Sequence, residues 1–303
     1  MNQENNHGVI IRSRSGFYTI RTPSGEVTCR MRGRLKEERL NTSLAAVGDK
    51  VTISVLPDGS GVLESILPRE KEFFRMAPTA RGEFKQVMLA NPDQVVLVFA
   101  CASPAPSFRM LDRFLVITEK QQIPVIVVAN KVDMIGMKAA RSLFSVYPKL
   151  GYRVIFTSAK EETGIDEFKQ VLVGKVSALS GPSGVGKSSL LNRVQPELGL
   201  KIGAVKDITQ KGRHTTVVRE LLPLDDGGFV ADMPGLRTLS LWDTQPEELD
   251  GYFPELRDLV TDCQYSNCSH ISEPGCAVKK AVEQGKVNPK RYESYVRLRM
   301  GDG

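Results

Sequence analysis

Two hydropathy patterns divide the chain. Over residues 8–68, short β-prone runs at 8–13, 16–21, 26–32, 49–55 and 62–67 are broken by glycine, serine and proline. Glu26-Val27-Thr28-Cys29-Arg30-Met31-Arg32 alternates polar and apolar, the period of a half-buried strand. Pro57-Asp58-Gly59-Ser60-Gly61 is a strong turn signal. Five short strands in about 60 residues predict a small β-barrel of the OB type. From 71 to 238 the pattern becomes α/β. The runs Val95–Ala100, Val125–Ala129 and Val154–Phe156 are near-continuous apolar stretches, as parallel strands covered on both faces require, and Val176–Ser180 reads as a short buried strand. Between the first two, Leu111, Phe114, Leu115 and Thr118 fall at helical spacing, predicting a helix over Phe108–Lys120. Pro68-Arg69-Glu70 reads as a linker, and residues 279–299 as one amphipathic basic helix. Three domains are expected: a barrel over 1–70, an α/β domain over 71–238, and a mostly helical domain over 239–303.

Composition narrows the class. The 303 residues are 41% hydrophobic and 25% charged, ordinary for a soluble globular protein. No apolar run is long enough to span a bilayer, and Met1–His7 lacks the basic-then-apolar build of a signal peptide. A cytoplasmic protein without a membrane partner is expected, and a monomer. The net charge is +6, but its placement says more. Residues 12–39 hold eight basic side chains against three acidic, and 279–299 hold seven against two. Residues 239–278 carry Arg257 alone against eight acids. Basic ends around an acidic stretch fit contact with nucleic acid, although solvated faces look similar.

The chemistry centres on Gly181-Pro182-Ser183-Gly184-Val185-Gly186-Lys187-Ser188-Ser189, between a short apolar strand and the start of a helix. This is the phosphate-loop pattern G-x-x-x-x-G-K-[ST] in its strand–loop–helix context. Its backbone N–H groups would cradle phosphates at a helix N-terminus. Lys187 would reach the β- and γ-phosphates, and Ser188 would ligate Mg²⁺. Asn130-Lys131-Val132-Asp133 follows another apolar strand. A carboxylate at 133 accepts from guanine N1–H and its 2-amino group, which adenine cannot offer; Lys131 would lie along the ring, and Asn130 would brace the phosphate loop. Ser158-Ala159-Lys160, also at a strand end, matches a second guanine-contacting loop. In Gly212-Arg213-His214-Thr215-Thr216, either threonine would complete the Mg²⁺ shell. The strand ending in Asp232-Met233-Pro234-Gly235 would supply Asp232 to Mg²⁺ through water and the Gly235 N–H to the γ-phosphate.

In ordinary GTPases the phosphate loop comes first and the base loops last. Here the base loops lead, so the same parts stand in rotated order, which implies a circularly permuted GTPase domain. Cys263, Cys268, His270 and Cys276 supply three thiols and an imidazole within fourteen residues, a set suited to a closed structural zinc. Cys29 and Cys101 sit in strand contexts and read as core.

Barrel, permuted GTPase motifs and Cys/His cluster together closely resemble the RsgA (YjeQ/YloQ) family of ribosome-associated bacterial GTPases. The resemblance implies GTP hydrolysis stimulated by the small ribosomal subunit, contact with its rRNA, and a role in late maturation of that subunit. It also implies Zn²⁺ on the Cys-Cys-His-Cys set and a catalytic role for His214 beside Lys187. The residue after Gly235 is Leu236, which cannot orient water as a glutamine would, so slow unaided turnover is expected. Two rivals remain: a GTP-binding scaffold with negligible hydrolysis, and a P-loop kinase acting on a small molecule.

Overall fold

The computed structural model describes residues 6–33, 35, 42–79, 82–200, 220–233 and 244–301. The chain divides into two compact units, one of residues 1–96, 166–180 and 187–235, the other of 97–165, 181–186 and 236–303.

The first unit opens with strands β1 (Asn6–Arg14), β2 (Phe17–Thr22), β3 (Gly25–Met31), β4 (Lys50–Val55) and β5 (Gly61–Ile66). They close into a barrel in the order β1-β2-β3-β5-β4, with β3 and β5 parallel. Inward positions fill it completely: Ile10, Ile20, Cys29, Val51, Ile53 and Leu63 are fully buried. The strands expected from alternation are therefore present, and Cys29 is core.

Pro68-Arg69-Glu70 is not a free linker. The Arg69 side chain is 9% exposed, and its Nε donates to Asp49 Oδ1 at 2.7 Å, with Asp49 fully buried. A second Arg69 nitrogen reaches the Ser43 carbonyl at 2.9 Å. An antiparallel hairpin follows, β6 (Glu72–Thr79) with β7 (Gly82–Ala90), where an α/β beginning was expected. The same unit holds β11 (Val176–Ser180) parallel to β13 (Phe229–Asp232), with the short β12 (Leu222–Pro223) antiparallel beside β13.

In the second unit, β8 (Gln94–Ala100), β9 (Val125–Asn130) and β10 (Arg153–Thr157) run in the order β10-β9-β8. β9 and β10 are parallel. β8 is buried along its whole length, as its unbroken apolar run requires. Helix α1 (Phe108–Lys120) has the expected bounds and starts at the Ser107 cap. Helices α2 (Met137–Leu143), α3 (Ile165–Leu172) and α4 (Lys187–Val194) follow β9, β10 and β11 in the chain.

The C-terminal region is helical, but its basic stretch is two helices, α5 (Ala277–Glu283) and α6 (Pro289–Arg299). Gly285 adopts φ +70°, and Asn288 caps the new helix with Pro289 at its first position, so one continuous helix cannot form. Nor are all its charges available to a partner. Arg291 is buried, donating to Asp112 Oδ1 at 2.7 Å and Glu255 Oε1 at 2.6 Å. Among the described residues, no helix is long and apolar enough to cross a membrane.

Candidate nucleotide and metal sites

In the second unit, the glycine-rich loop 181–186 is held by residues at the end of β9 and just after it. Asn130 is 1% exposed at the end of β9; its Nδ2 donates to the Val185 carbonyl at 2.8 Å, and its Oδ1 accepts from Thr157 Oγ1 at 3.0 Å. Thr157 thereby fixes which way the amide points. Lys131 takes a left-handed conformation at φ 64°, and its Nζ donates to the Gly184 carbonyl at 2.7 Å and to the Ser103 carbonyl. The loop admits no side chain at two glycines. A Cβ on Gly186, at φ +97°, would lie 2.4 Å from Asn130 Nδ2, and one on Gly181, at φ +147°, 2.0 Å from the Val98 carbonyl oxygen.

Asp133 lies in a single 3₁₀ turn, Val132–Met134, after Lys131. Its Oδ1 accepts from Ser158 Oγ at 2.6 Å. Ser158 is fully buried and held in turn by its N–H to the Thr163 carbonyl at 3.0 Å. The two guanine loops expected from sequence are thus joined by one side-chain bond. Lys160 stands exposed beyond it, and Ala159 is half-buried. Cys101 is 4% exposed, and burial raises its thiol to about 11, as a core residue's would be.

In the first unit, Lys187 and Ser188 open α4 and are 9% and 6% exposed. Asp232 ends β13, and burial pushes its carboxyl up to about 6, with Lys187 pulling the other way. Its Oδ1 is buried and makes no hydrogen bond. A buried acceptor without a donor is costly, and a hydrated divalent cation would satisfy it. The donor set, a serine hydroxyl and a carboxylate, has the hard oxygen chemistry that Mg²⁺ takes. His214, Thr215, Thr216 and Gly235 lie outside the described residues.

The second cluster lies in the C-terminal region. The ligand atoms of Cys263, Cys268, His270 and Cys276 all fall within 4.8 Å of one another. His270 Nδ1 is 3.5 Å from Cys263 Sγ and 3.4 Å from Cys276 Sγ, and the two sulfurs are 4.0 Å apart. Zn–S bonds of about 2.3 Å and Zn–N bonds of about 2.0 Å give a tetrahedron edges of about 3.5–3.8 Å, so the set fits zinc. The far nitrogen, His270 Nε2, meets Asp250 Oδ2 at 3.1 Å, which turns Nδ1 toward the thiols. Glu273 closes the loop by accepting from the N–H groups of Ser269, Ile271 and Ser272, and hydrogen bonds from the Ser269 side chain first, then from backbone N–H groups, hold its carboxyl down at about 2.

Sequence reading missed several of these supports. Thr157 sits directly before Ser158 and was legible as part of a strand end. Asp250 lies 20 positions from His270, and Glu255 lies 36 from Arg291. No local pattern links residues so far apart.

The family model described as RsgA N-terminal domain matches residues 7–63, and that described as RsgA GTPase matches 66–242. A small ribosomal subunit biogenesis GTPase RsgA of Gemmatimonas aurantiaca is 44% identical over 296 residues, 96% of each chain. One of Moorella thermoacetica is 42% identical over 289 residues, 95% of this chain and 94% of the other. Among solved structures, YjeQ from Thermotoga maritima superposes with a TM-score of 0.78 at 36% identity, covering 98% of both chains. YloQ, described as a circularly permuted GTPase, gives 0.74 at 31% identity, covering 99% of this chain and 96% of its own.

Proposed function

This chain belongs to the RsgA family, and from that premise we propose that it hydrolyses GTP during late maturation of the small ribosomal subunit, slowly alone and faster on that subunit. The observation that carries the reading is the pair of bonds from Asn130 and Lys131 to the carbonyls of Val185 and Gly184, which ties base recognition to the phosphate loop. A small-molecule kinase has no need of Asp133 beside Ser158; guanine selection does.

In this reading the N–H groups of Gly181–Ser189 cradle the phosphates and Lys187 meets the β- and γ-oxygens. Ser188, Asp232 and one of Thr215 or Thr216 would hold Mg²⁺, whose charge would stabilise the phosphate oxygens. Gly235 N–H meets the γ-phosphate. Asp133 takes guanine N1–H and the 2-amino group, Lys131 lies along the ring, and Ala159 and Lys160 border its edge. Leu236 leaves the attacking water without a glutamine, so His214 orients it. Cys263, Cys268, His270 and Cys276 hold a structural zinc. The basic barrel and the outward charges of α5 and α6 suit contact with rRNA. The protein works in the cytoplasm as a monomer.

The test is phosphate release from GTP with purified small subunits, large subunits or free RNA. Small subunits alone should accelerate turnover, and His214→Ala should keep GTP affinity while losing that acceleration. Turnover indifferent to small subunits would leave a GTP-binding scaffold, and displacement of GTP by ATP would favour the kinase.

A further inference from the structure

Strand β1 pairs with β2 in a register that slips between Ile10 and Arg12, so Ile11 is an inserted residue with no partner on β2. Such a bulge turns backbone groups out of the ladder and re-aims the next side chain. The Ile11 carbonyl accepts from the Leu221 N–H at 2.7 Å, and both side chains are buried. Beside it, Arg12 Nε donates to Glu220 Oε1 at 2.9 Å, and Arg12 Nη2 reaches the same oxygen. The next two residues, Leu222 and Pro223, pair with Val230 and Phe229 of β13, the strand that ends on Asp232. Thr216 lies four positions before Glu220 in the chain.

We propose that Arg12 and Glu220 are positioning residues, clasping barrel strand β1 to the strand pair that ends on Asp232. Engagement of the barrel by the small subunit is thereby felt at the phosphate end of the nucleotide site. The inference rests on the reading of this chain as a subunit-stimulated GTPase. Two arguments favour it. The pair is exposed, at 46% and 31% of the two side chains, and solvent-screened pairs of this kind add little to stability, so fold stability does not explain it. Arg12 also belongs to the basic stretch of the barrel, yet its charge is spent on an internal acid rather than held out to a polyanion. The buried Leu221–Ile11 bond carries the connection, and the ion pair sets its register.

Reversing each charge puts like charges together and opens the clasp; exchanging both restores it. R12E and E220R should each bind GTP and small subunits, and turn over unaided, within about twofold of wild type. Each should lose about fivefold or more of the subunit-stimulated rate, the low end of ordinary coupling between sites. The exchange R12E/E220R should recover most of it. Single reversals with full stimulation would overturn the proposal. So would an exchange that stays as poor as R12E with subunit binding lost, because Arg12 would then be touching RNA. Should a reversal abolish unaided turnover through misfolding, R12Q and E220Q carry the same expectations. A wild-type protein that small subunits fail to stimulate would remove the functional reading itself, a separate result visible before any variant is made.

Discussion

In the function proposed here, base selection falls to one carboxylate with one oxygen already committed. Ser158 Oγ occupies Asp133 Oδ1, so in the proposed reading the second oxygen and the remaining lone pairs are what is left for the base. Guanine presents two donors to such an edge, and a site built for them rejects a ligand that leaves it unpaired. Asp133→Asn replaces an acceptor by an N–H₂ group, which opposes guanine's 2-amino group but suits the 2-oxo group of xanthine. GTP affinity should fall at least about a hundredfold, with xanthosine triphosphate binding better than GTP, read by titration of a fluorescent analogue of each. A D133N variant that held GTP as tightly as before would mean the base is read elsewhere. The four letters Asn-Lys-Val-Asp were enough to single out this carboxylate as a candidate, and the structure puts it directly after β9 beside Ser158. They were not enough to find Thr157, whose hydroxyl sets the Asn130 amide only through the parallel neighbour strand.

Helices α1 and α6 meet through a buried charged group that periodicity could not show. Asp112 lies on the inward face of α1 among Leu111, Phe114 and Leu115, where a helical wheel expects an apolar residue. Arg291 on α6 answers it, with Glu255, Ser294 and Tyr147 completing the hydrogen bonds at 2.6–2.9 Å. The guanidinium also stacks at 4.6 Å over Phe253. Exposed side-chain fractions of 3%, 2% and 7% for Arg291, Asp112 and Glu255 leave little water to replace a lost partner. Arg291→Met strands two carboxylates in the interior and should cost about 3–5 kcal/mol. Replacing all three charged residues by apolar ones of similar volume should cost far less, because no unpaired charge remains. Thermal unfolding of the two variants separates the cases. Equal losses would show that packing around the ring, rather than charge pairing, is what α6 contributes.

At the scale of the whole molecule, what the sequence made legible follows the range of the interactions involved. Barrel strands, α1 and the strand–loop–helix around Lys187 are set by period and turn chemistry over a few residues, and the rotated order of the motifs revealed the permutation. The hairpin at 72–90, the pinning of Arg69 by Asp49, and the break between α5 and α6 depend on partners or caps that a hydropathy pattern does not register. The three cysteines and His270 were legible as a set that could hold a metal, and the segment around them packs directly on that cluster. Its core is Leu249, Phe253, Leu256, Val278, Ala281, Val287, Tyr295 and Leu298, packed with Cys268 and Cys276 themselves and with Val116 of α1. Tyr292 and Tyr295 bond the carbonyls of His270 and Ser269, so the helices are fastened to the ligand loop. With zinc held as proposed, metal binding and folding of this region are coupled. Native mass spectrometry should find one zinc per chain. Removal by a chelator should raise amide hydrogen exchange across 246–299 while leaving the barrel strands 6–66 as protected as before. Uniform loss of protection would mean the metal stabilises the entire chain cooperatively. Unchanged exchange over 246–299 in verified zinc-free protein would mean that apolar packing of Phe253 and Tyr295 is sufficient, and that the cluster serves something other than structure.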